Sequence, residues 1–418
     1  MKYIGHGGKE ITERILPPNE AKERIKGLKR VSVTDRVARE CIDLAYGFFA
    51  PLQGFMGKAE VESVCKGMTL IDGTLWPIPI IFDIDGEEIK EKGIKEKDVI
   101  LLTYHDHALA ILEVEEIFNY HKLDLEQAVL GTTDLKHPGV KMYNELKDTF
   151  ISGKVTLVSK IKFNPPFDQF WYTTKQLREI FVEKGWERIV AHQTRNVPHT
   201  GHEWLMKGAW FSANGDLPVE KIKTGILVSC IIGPKRLGDY IDEAILLGHQ
   251  KLHDAKYFRD DIHLVSFVLW DMRYAGPKEA ILHAIIRNNL GCTHHMFGRD
   301  HAGVGSYYDP YDAHRIFDQI PEGSLNIKPV RILEWWYCPI CGEVTYSGLC
   351  GHVKERQPFS GTMIRSIIQD KVKPTKLIMR PEVFDIMLES ADKYGFGSPF
   401  CTKEYLNKRQ PVFELPVL

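Results

Sequence analysis

Ala191-His192-Gln193-Thr194-Arg195-Asn196-Val197-Pro198-His199-Thr200-Gly201-His202-Glu203-Trp204 brings three histidines, an arginine and two side-chain amides into one short stretch. The apolar run 187–191 before it reads as a buried strand, and 204–211 after it has helical spacing. Thr200 and Glu203 stand at the spacing of a capping box, which predicts a helix opening at Thr200. The free N–H groups of its first turn, with the positive end of its dipole, would make a phosphate site beside His199 and His202. Gly201 leaves the backbone bare where a phosphate comes close. A lone histidine is more often a satisfied core residue, and a His-x-x-His pair can bind metal, but the further partners of a zincin are missing here. So many polar groups in one strand-to-helix turn favour an anion site.

A second loop, Gly298-Arg299-Asp300-His301-Ala302-Gly303-Val304-Gly305, follows an expected strand at 293–297. Its glycines permit close backbone approach, and Arg299 and His301 supply charge; the plain alternative is a turn closed by an Asp300 hydrogen bond. Around both loops the pattern alternates, with strands expected at 189–192, 224–232, 263–269 and 293–297 and helices at 202–212, 240–247, 277–288 and 310–319. That is a parallel sheet covered by helices on both faces, an α/β architecture in which ligands sit at the carboxyl ends of the strands. Both loops fall at such ends.

Upstream, short apolar runs at 76–82 and 98–103, punctuated by Gly73, Asp85-Gly86 and Gly93, predict a β-rich, barrel-like first domain over 1–165 with a helix near 34–40. Asn164-Pro165-Pro166-Phe167 reads as a hinge. A catalytic domain would follow over 166–337 and a small third domain over 338–418. The third opens on Cys338-Pro339-Ile340-Cys341 with Cys350-Gly351-His352 after it, four ligands suited to a closed structural Zn²⁺ site. An unmetallated loop of reduced thiols is the alternative, and the short Cys-x-His spacing makes His352 the ligand least constrained by pattern. Trp335-Trp336-Tyr337 reads as core or interface, and 371–380 as a solvated basic face.

At 418 residues the chain has room for two or three domains. A net charge of -2, with 44% hydrophobic and 26% charged residues, is ordinary globular composition and argues against a general nucleic-acid or membrane-surface binder. Countercharge for anions must therefore be placed locally. The first eight residues lack the apolar core of a signal peptide, and runs such as 226–232 fall far short of the ~20 residues of a membrane span. A cytoplasmic protein is expected, and eight cysteines fit reduced thiols plus a metal site.

The two loops, together with Met272-Arg273-Tyr274-Ala275-Gly276-Pro277-Lys278-Glu279-Ala280, Phe49-Ala50-Pro51-Leu52-Gln53-Gly54-Phe55-Met56, His137-Pro138-Gly139-Val140 and Phe359-Ser360-Gly361-Thr362-Met363-Ile364-Arg365, give the chain a resemblance to the ATP sulfurylase (sulfate adenylyltransferase) family over nearly its whole length. One departure is Val197, where the family usually has proline. The resemblance implies a PUA-like N-terminal domain, a Rossmann-like nucleotidylyltransferase domain and a small zinc-bearing C-terminal domain. It implies transfer of AMP from MgATP to sulfate, giving adenosine 5′-phosphosulfate and pyrophosphate, reversibly and by direct in-line attack, with no covalent intermediate. The obstacle is electrostatic: a dianion meeting a phosphate at ~4 Å, with an effective dielectric constant near 20, is repelled by roughly 8 kcal/mol.

By resemblance, Gln193, Arg195, Arg299 and Ala302 hold sulfate. Gln193, Asn196, His199, His202, Gly298, Arg299, Asp300, His301 and Leu333 face the nucleotide, and Thr194, Arg195, Asn196, His199 and His202 form the catalytic set. Mg²⁺ would arrive with ATP, Zn²⁺ would be structural, and the assembly would be a homodimer. No Gly-x-x-x-x-Gly-Lys-Ser/Thr loop occurs, so a fused kinase domain is not expected. Competing readings are a nucleotidylyltransferase for another acceptor, against which Arg195 and Arg299 together argue, and a zinc-ribbon nucleic-acid binder, against which the near-neutral charge argues. The physiological direction and the selectivity against selenate or molybdate stay open.

Overall fold

The computed structural model describes residues 3–416. The first sheet holds β1 (Lys29–Ser32), β2 (Gly54–Phe55), β3 (Asp83–Ile84), β4 (Val99–Tyr104), β5 (His107–Asn119) and β6 (Thr149–Leu157), in the order β1-β4-β5-β6-β2 with β3 also on β6. β1 runs parallel to β4 and the other pairs are antiparallel. The barrel-like outline is thus an open mixed sheet, and it carries more helix than the single stretch expected near 34–40. The apolar run 76–82 is core but not strand: Trp76, Ile78 and Ile80 are fully buried, while Pro77 and Pro79 have no N–H to give a ladder.

The second sheet is built from β8 (Arg188–Thr194), β9 (Thr224–Ile232), β10 (His263–Leu269), β11 (His294–Phe297) and β12 (Lys328–Arg331), after the short β7 (Lys162–Phe163). Its order is β10-β9-β8-β11-β12 and every pairing is parallel. All nine residues of β9 are buried, as a central strand covered on both faces requires. Helices Thr200–Asn214, Asp242–Asp254 and Pro277–Leu290 supply the crossovers. The helix expected at 310–319 is broken into an α-turn, Asp312–Arg315, and a 3-10 turn, Ile316–Asp318. Strand order reverses between β8 and β11, which opens a crevice at their carboxyl ends.

Helix Thr200–Asn214 opens where the sequence predicts, but not through a Thr200–Glu203 capping box. His199 Nδ1 accepts the Gly201 N–H at 3.1 Å instead. Glu203 is buried, and Arg380 grips its carboxylate through three contacts of 2.8 to 3.0 Å, a better match for a carboxylate without water than a backbone N–H. Thr200 Oγ1 donates to the Lys376 carbonyl at 3.0 Å. The stretch 371–380 is therefore solvated mainly over 371–377, apart from the buried Pro374, while Met379 is buried and Arg380 turns inward.

Past the second sheet, β13 (Trp335–Cys338) and β14 (Glu343–Tyr346) form an antiparallel hairpin extended by β15 (Gln357–Pro358). Trp336 is core, as expected. Helix Pro381–Tyr394 packs on helix Asp242–Asp254, and β16 (Phe413–Glu414) pairs with β7. Asn164 bonds to the Val412 and Pro411 carbonyls at 3.0 and 2.9 Å. The segment read as a hinge is therefore pinned.

The first sheet meets the second through helix Asp35–Ala45. Arg39 makes a two-point contact with Asp271 at 2.5 and 2.9 Å, and Glu40 accepts from Arg36 at 2.7 Å and from Arg273. Asp271 and Arg273 begin the loop that walls the crevice, so the N-terminal part braces the site. Removing Glu40 takes the carboxylate contact from the buried Arg273 guanidinium, while Arg36 keeps Asp83, and breaking a buried ion pair typically costs about 3–5 kcal/mol. Glu40→Ala is expected to lower the free energy of urea unfolding by about 3 kcal/mol or more; a loss under about 1 kcal/mol would show that the brace contributes little.

Candidate active site

The two loops predicted to bind anions share one cavity of about 310 Å³ at the carboxyl ends of β8 and β11, lined by Gln193, Thr194, Arg195, Asn196 and His202 from one side and 298–303 from the other. Arg195 and Arg299 thus face the same space. Of the residues named from the sequence, His199 and Leu333 lie outside this lining. His199 is turned to cap its own helix and packs its ring 3.9 Å from that of His202. Leu333 is more than a third exposed, with its N–H bonded to the Tyr346 hydroxyl at 2.9 Å.

Local chemistry holds each loop in shape. The Thr194 hydroxyl accepts the Asn196 N–H at 3.1 Å and lies 3.2 Å from the Asn196 carbonyl, closing the turn out of β8. In the second loop Asp300 and Ala302 adopt left-handed backbone (φ 56° and 55°). A side chain at Gly303 would lie 2.1 Å from Asp300 Oδ1, so glycine there leaves room for the Asp300 carboxylate in its present place. The plain alternative, a turn closed by Asp300, is also present, but as backbone: its carbonyl accepts the Gly303 N–H at 3.4 Å. Gly276 N–H bonds to the Ala302 carbonyl at 3.0 Å, tying this loop to 271–276.

Beneath the cavity lies a polar chain. Gln193 Nε2 is 2.7 Å from His283 Nδ1, which is 3.1 Å from His301 Nε2. His283 Nε2 is 3.5 Å from Glu279, which also accepts from Trp270 Nε1 and from the Arg273 and Ala275 N–H groups at 2.6 to 3.0 Å. Burial alone would raise the Glu279 carboxyl, but His283 and these donors hold it below the usual range. Glu279 and His283 carried no assignment from the sequence, although their i, i+4 spacing on one helix was available to suggest it. Tyr274 was missed likewise: its hydroxyl accepts from Arg195 Nη1 at 2.7 Å, and its backbone is left-handed (φ 58°).

The imidazoles are held neutral. Burial depresses His192, His199, His249, His295 and His301 far below the ordinary histidine value, brings His202 to about 4 against an opposing Val197 backbone bond, and takes His263 to about 3. Positive charge in the cavity therefore belongs to Arg195 and Arg299, the latter 3.8 Å from Glu334.

A separate cluster lies at the hairpin. The ligand atoms of Cys338, Cys341, Cys350 and His352 all fall within 4.8 Å of one another. Two Sγ–Sγ distances are 3.7 Å, and His352 Nδ1 is 3.4 to 3.6 Å from the three sulfurs. With metal–sulfur bonds of about 2.3 Å, a tetrahedral site has edges of about 3.8 Å. The four groups could hold a metal ion, and His352, the least constrained by spacing, fits as the fourth.

A parallel sheet with an arginine-lined crevice at its strand-order reversal defines an α/β nucleotidyltransferase-like protein. The ATP-sulfurylase family model matches residues 168–390, and a PUA-like domain model matches 3–160. The chain is 40% identical over 446 residues to the sulfate adenylyltransferase of Archaeoglobus fulgidus, covering 98% of this chain and 96% of that one. It is 38% identical over 398 residues to that of Ignicoccus hospitalis (93% and 98% covered) and 38% over 387 to that of Thermococcus onnurineus (91% and 96%). The chain belongs to the ATP-sulfurylase family. In fold it also resembles the hexameric APS kinase from Thiobacillus denitrificans, with a TM-score of 0.69 at 19% identity over 93% of this chain and 68% of that one. No helix among the described residues is long and apolar enough to cross a membrane.

The neutral histidines set a pH dependence. Unfolded, each takes up a proton near pH 6.5; folded, His202 does so only near 4 and His263 near 3. The unfolded chain binds more protons below about pH 6.5, so stability is lost as the pH falls from there toward 4. The melting temperature is expected to drop steadily over that interval. A melting temperature that holds or rises on acidification would contradict neutral burial.

Proposed function

We propose that the protein is a sulfate adenylyltransferase, moving AMP from MgATP to sulfate with release of pyrophosphate. The observation that carries this reading is the single cavity shared by the Arg195 and Arg299 loops at the strand-order reversal. Sulfate lies against Gln193, Arg195, Arg299 and the Ala302 N–H, where planar guanidiniums meet two oxygens at once. The nucleotide lies along Gly298, Arg299, Asp300 and His301, with its phosphates on Gln193, Asn196 and His202; Leu333 joins the adenine side only if its segment moves inward. His199 acts from behind, holding the helix N-terminus against the phosphates. Thr194 shapes the turn that presents Arg195 and Asn196.

Sulfate attacks the α-phosphorus directly, so these residues position and neutralise rather than react. Charge passing onto the leaving group favours protonation of a neutral imidazole beside it, which His202 is placed to supply. Mg²⁺ arriving with ATP would neutralise phosphate oxygens. Cys338, Cys341, Cys350 and His352 hold Zn²⁺ as a structural ion. The working division is 1–165, 166–337 and 338–418, in a cytoplasmic homodimer.

Purified protein is expected to exchange labelled pyrophosphate into ATP only when sulfate is present. Arg195→Ala should lower that rate by roughly 10²–10³-fold without moving the melting temperature; near-normal exchange would reject the role. Metal analysis should find one zinc per chain, and chelation should lower the melting temperature, because a structural metal contributes folding free energy. A chelator that removes no zinc and changes no melting would return the cluster to a set of reduced thiols.

A further inference from the structure

Helix Pro277–Leu290 carries Glu279 and His283 one turn apart, both fully buried and neither of them lining the crevice. Between them and the open cavity stands Gln193, whose Nε2 lies 2.7 Å from His283 Nδ1. The far end of this line fixes the direction of every hydrogen bond along it.

Glu279 accepts the Trp270 indole N–H at 2.6 Å and the Arg273 and Ala275 N–H groups at 3.0 Å each, so its carboxylate meets donors and stays ionised. An ionised carboxylate accepts and never donates. His283 Nε2 stands 3.5 Å from it, and the ring is neutral because burial outweighs the pull of Glu279. The one ring proton therefore sits on Nε2, which leaves a lone pair on Nδ1. Only donors can meet a lone pair. The Gln193 amide must turn its nitrogen that way, and His301 Nε2, 3.1 Å from the same atom, must carry a proton. Trp270 also stands edge-on to the imidazole with centroids 6.4 Å apart, so one indole holds both carboxylate and ring.

The Gln193 nitrogen has two protons, and His283 takes one. Gln193 Oε1 is buried without a partner, so the carbonyl end of the amide is turned into protein while the side chain still lines the cavity. The second N–H is left to the cavity. We propose that Glu279 and His283 are positioning residues that lock the Gln193 amide as a donor toward the acceptor oxyanion, so that the site selects a tetrahedral anion carrying no proton. The inference rests on the adenylyltransferase reading, in which Gln193, Arg195, Arg299 and the Ala302 N–H surround sulfate with donors. Asp300, the one acidic side chain in the lining, is on the nucleotide side in that reading. Near neutral pH sulfate accepts at every oxygen, whereas hydrogen phosphate brings an O–H that would find no acceptor among these groups, and an unmet buried donor is costly.

The test is steady-state kinetics of His283→Gln and His283→Asn, alone and combined with Gln193→Ala. Glutamine reaches the place of Nε2 but not that of Nδ1, whereas asparagine keeps an acceptor near Nδ1. His283→Gln is expected to raise the sulfate KM about tenfold, the loss of one charge-assisted contact, and to lower the ratio of the phosphate inhibition constant to that KM. His283→Asn should lie closer to wild type, which separates a lost acceptor from a lost fold. In the Gln193→Ala background His283→Gln should move the sulfate KM less than about twofold, since the amide through which it acts is gone. An equal rise in that background would overturn the proposal, as would an unchanged sulfate KM in His283→Gln or a phosphate-to-sulfate ratio that does not fall. Any of these, with wild-type protein exchanging pyrophosphate in a sulfate-dependent way, removes this assignment alone. If wild-type protein shows no sulfate-dependent exchange, the adenylyltransferase reading falls and this one with it.

Discussion

Parallel strands joined by right-handed crossovers leave a crevice only where the order of the sheet turns around, and here that is between β8 and β11. The segment leaving β8 runs into helix Thr200–Asn214, while the loop leaving β11 goes the other way toward residues 312–318. Apolar side chains such as Leu205, Ile231 and Met296 wall part of the gap, but polar groups of both loops also open into it. Polar side chains there must find partners among themselves, and some do not: Gln193 Oε1, His192 Nε2 and His202 Nδ1 are buried with none. Orphaned buried polar atoms are expensive in a folded protein unless something else meets them.

Two kinds of cationic group were open to such a site, and the fold uses them differently. Burial strips the imidazoles of charge, which leaves them as short, directional hydrogen-bonding groups that gain a proton when negative charge comes near. Guanidinium groups keep their charge in any surroundings, so the standing positive field falls to them. Their placement in turn depends on contacts far along the chain: Arg195 on Tyr274, Tyr274 on the loop begun by Asp271 and Arg273, and that loop on Arg39 and Glu40 of the N-terminal part. Electrostatic preorganisation at the crevice is thus maintained by packing between the two halves of the molecule.

What could be read from sequence was what local periodicity and punctuation encode. The largely apolar β9, the glycines of the second loop and the helix beginning at Thr200 each announce themselves within a dozen residues. The Glu203 carboxylate did not, because its partner Arg380 lies 177 positions away, and a capping box is only the best local option for a carboxylate that remains in water. The prolines at 77 and 79 concealed a buried extended segment inside a strand-like apolar run. His199 has the composition of a ligand and the geometry of a cap. Tyr274 was visible within a familiar run, yet its contact with Arg195 spans 79 positions and only folding brings it about. The Cys and His cluster was legible because metal ligands close in sequence need little help from tertiary structure.

The hairpin that carries this cluster is joined to the crevice by more than its chain. Trp335 stacks on Trp204 with ring centroids 5.0 Å apart, and Glu334 lies within 3.8 Å of Arg299 and 3.1 Å of Arg356. One indole rides on the helix whose first turn lines the crevice through His202, and the other on the strand that ends at Cys338. Two indoles in face contact are optically coupled, so the protein contains its own gauge of that seam: any parting of hairpin from helix would register as a change in tryptophan emission, with no label added.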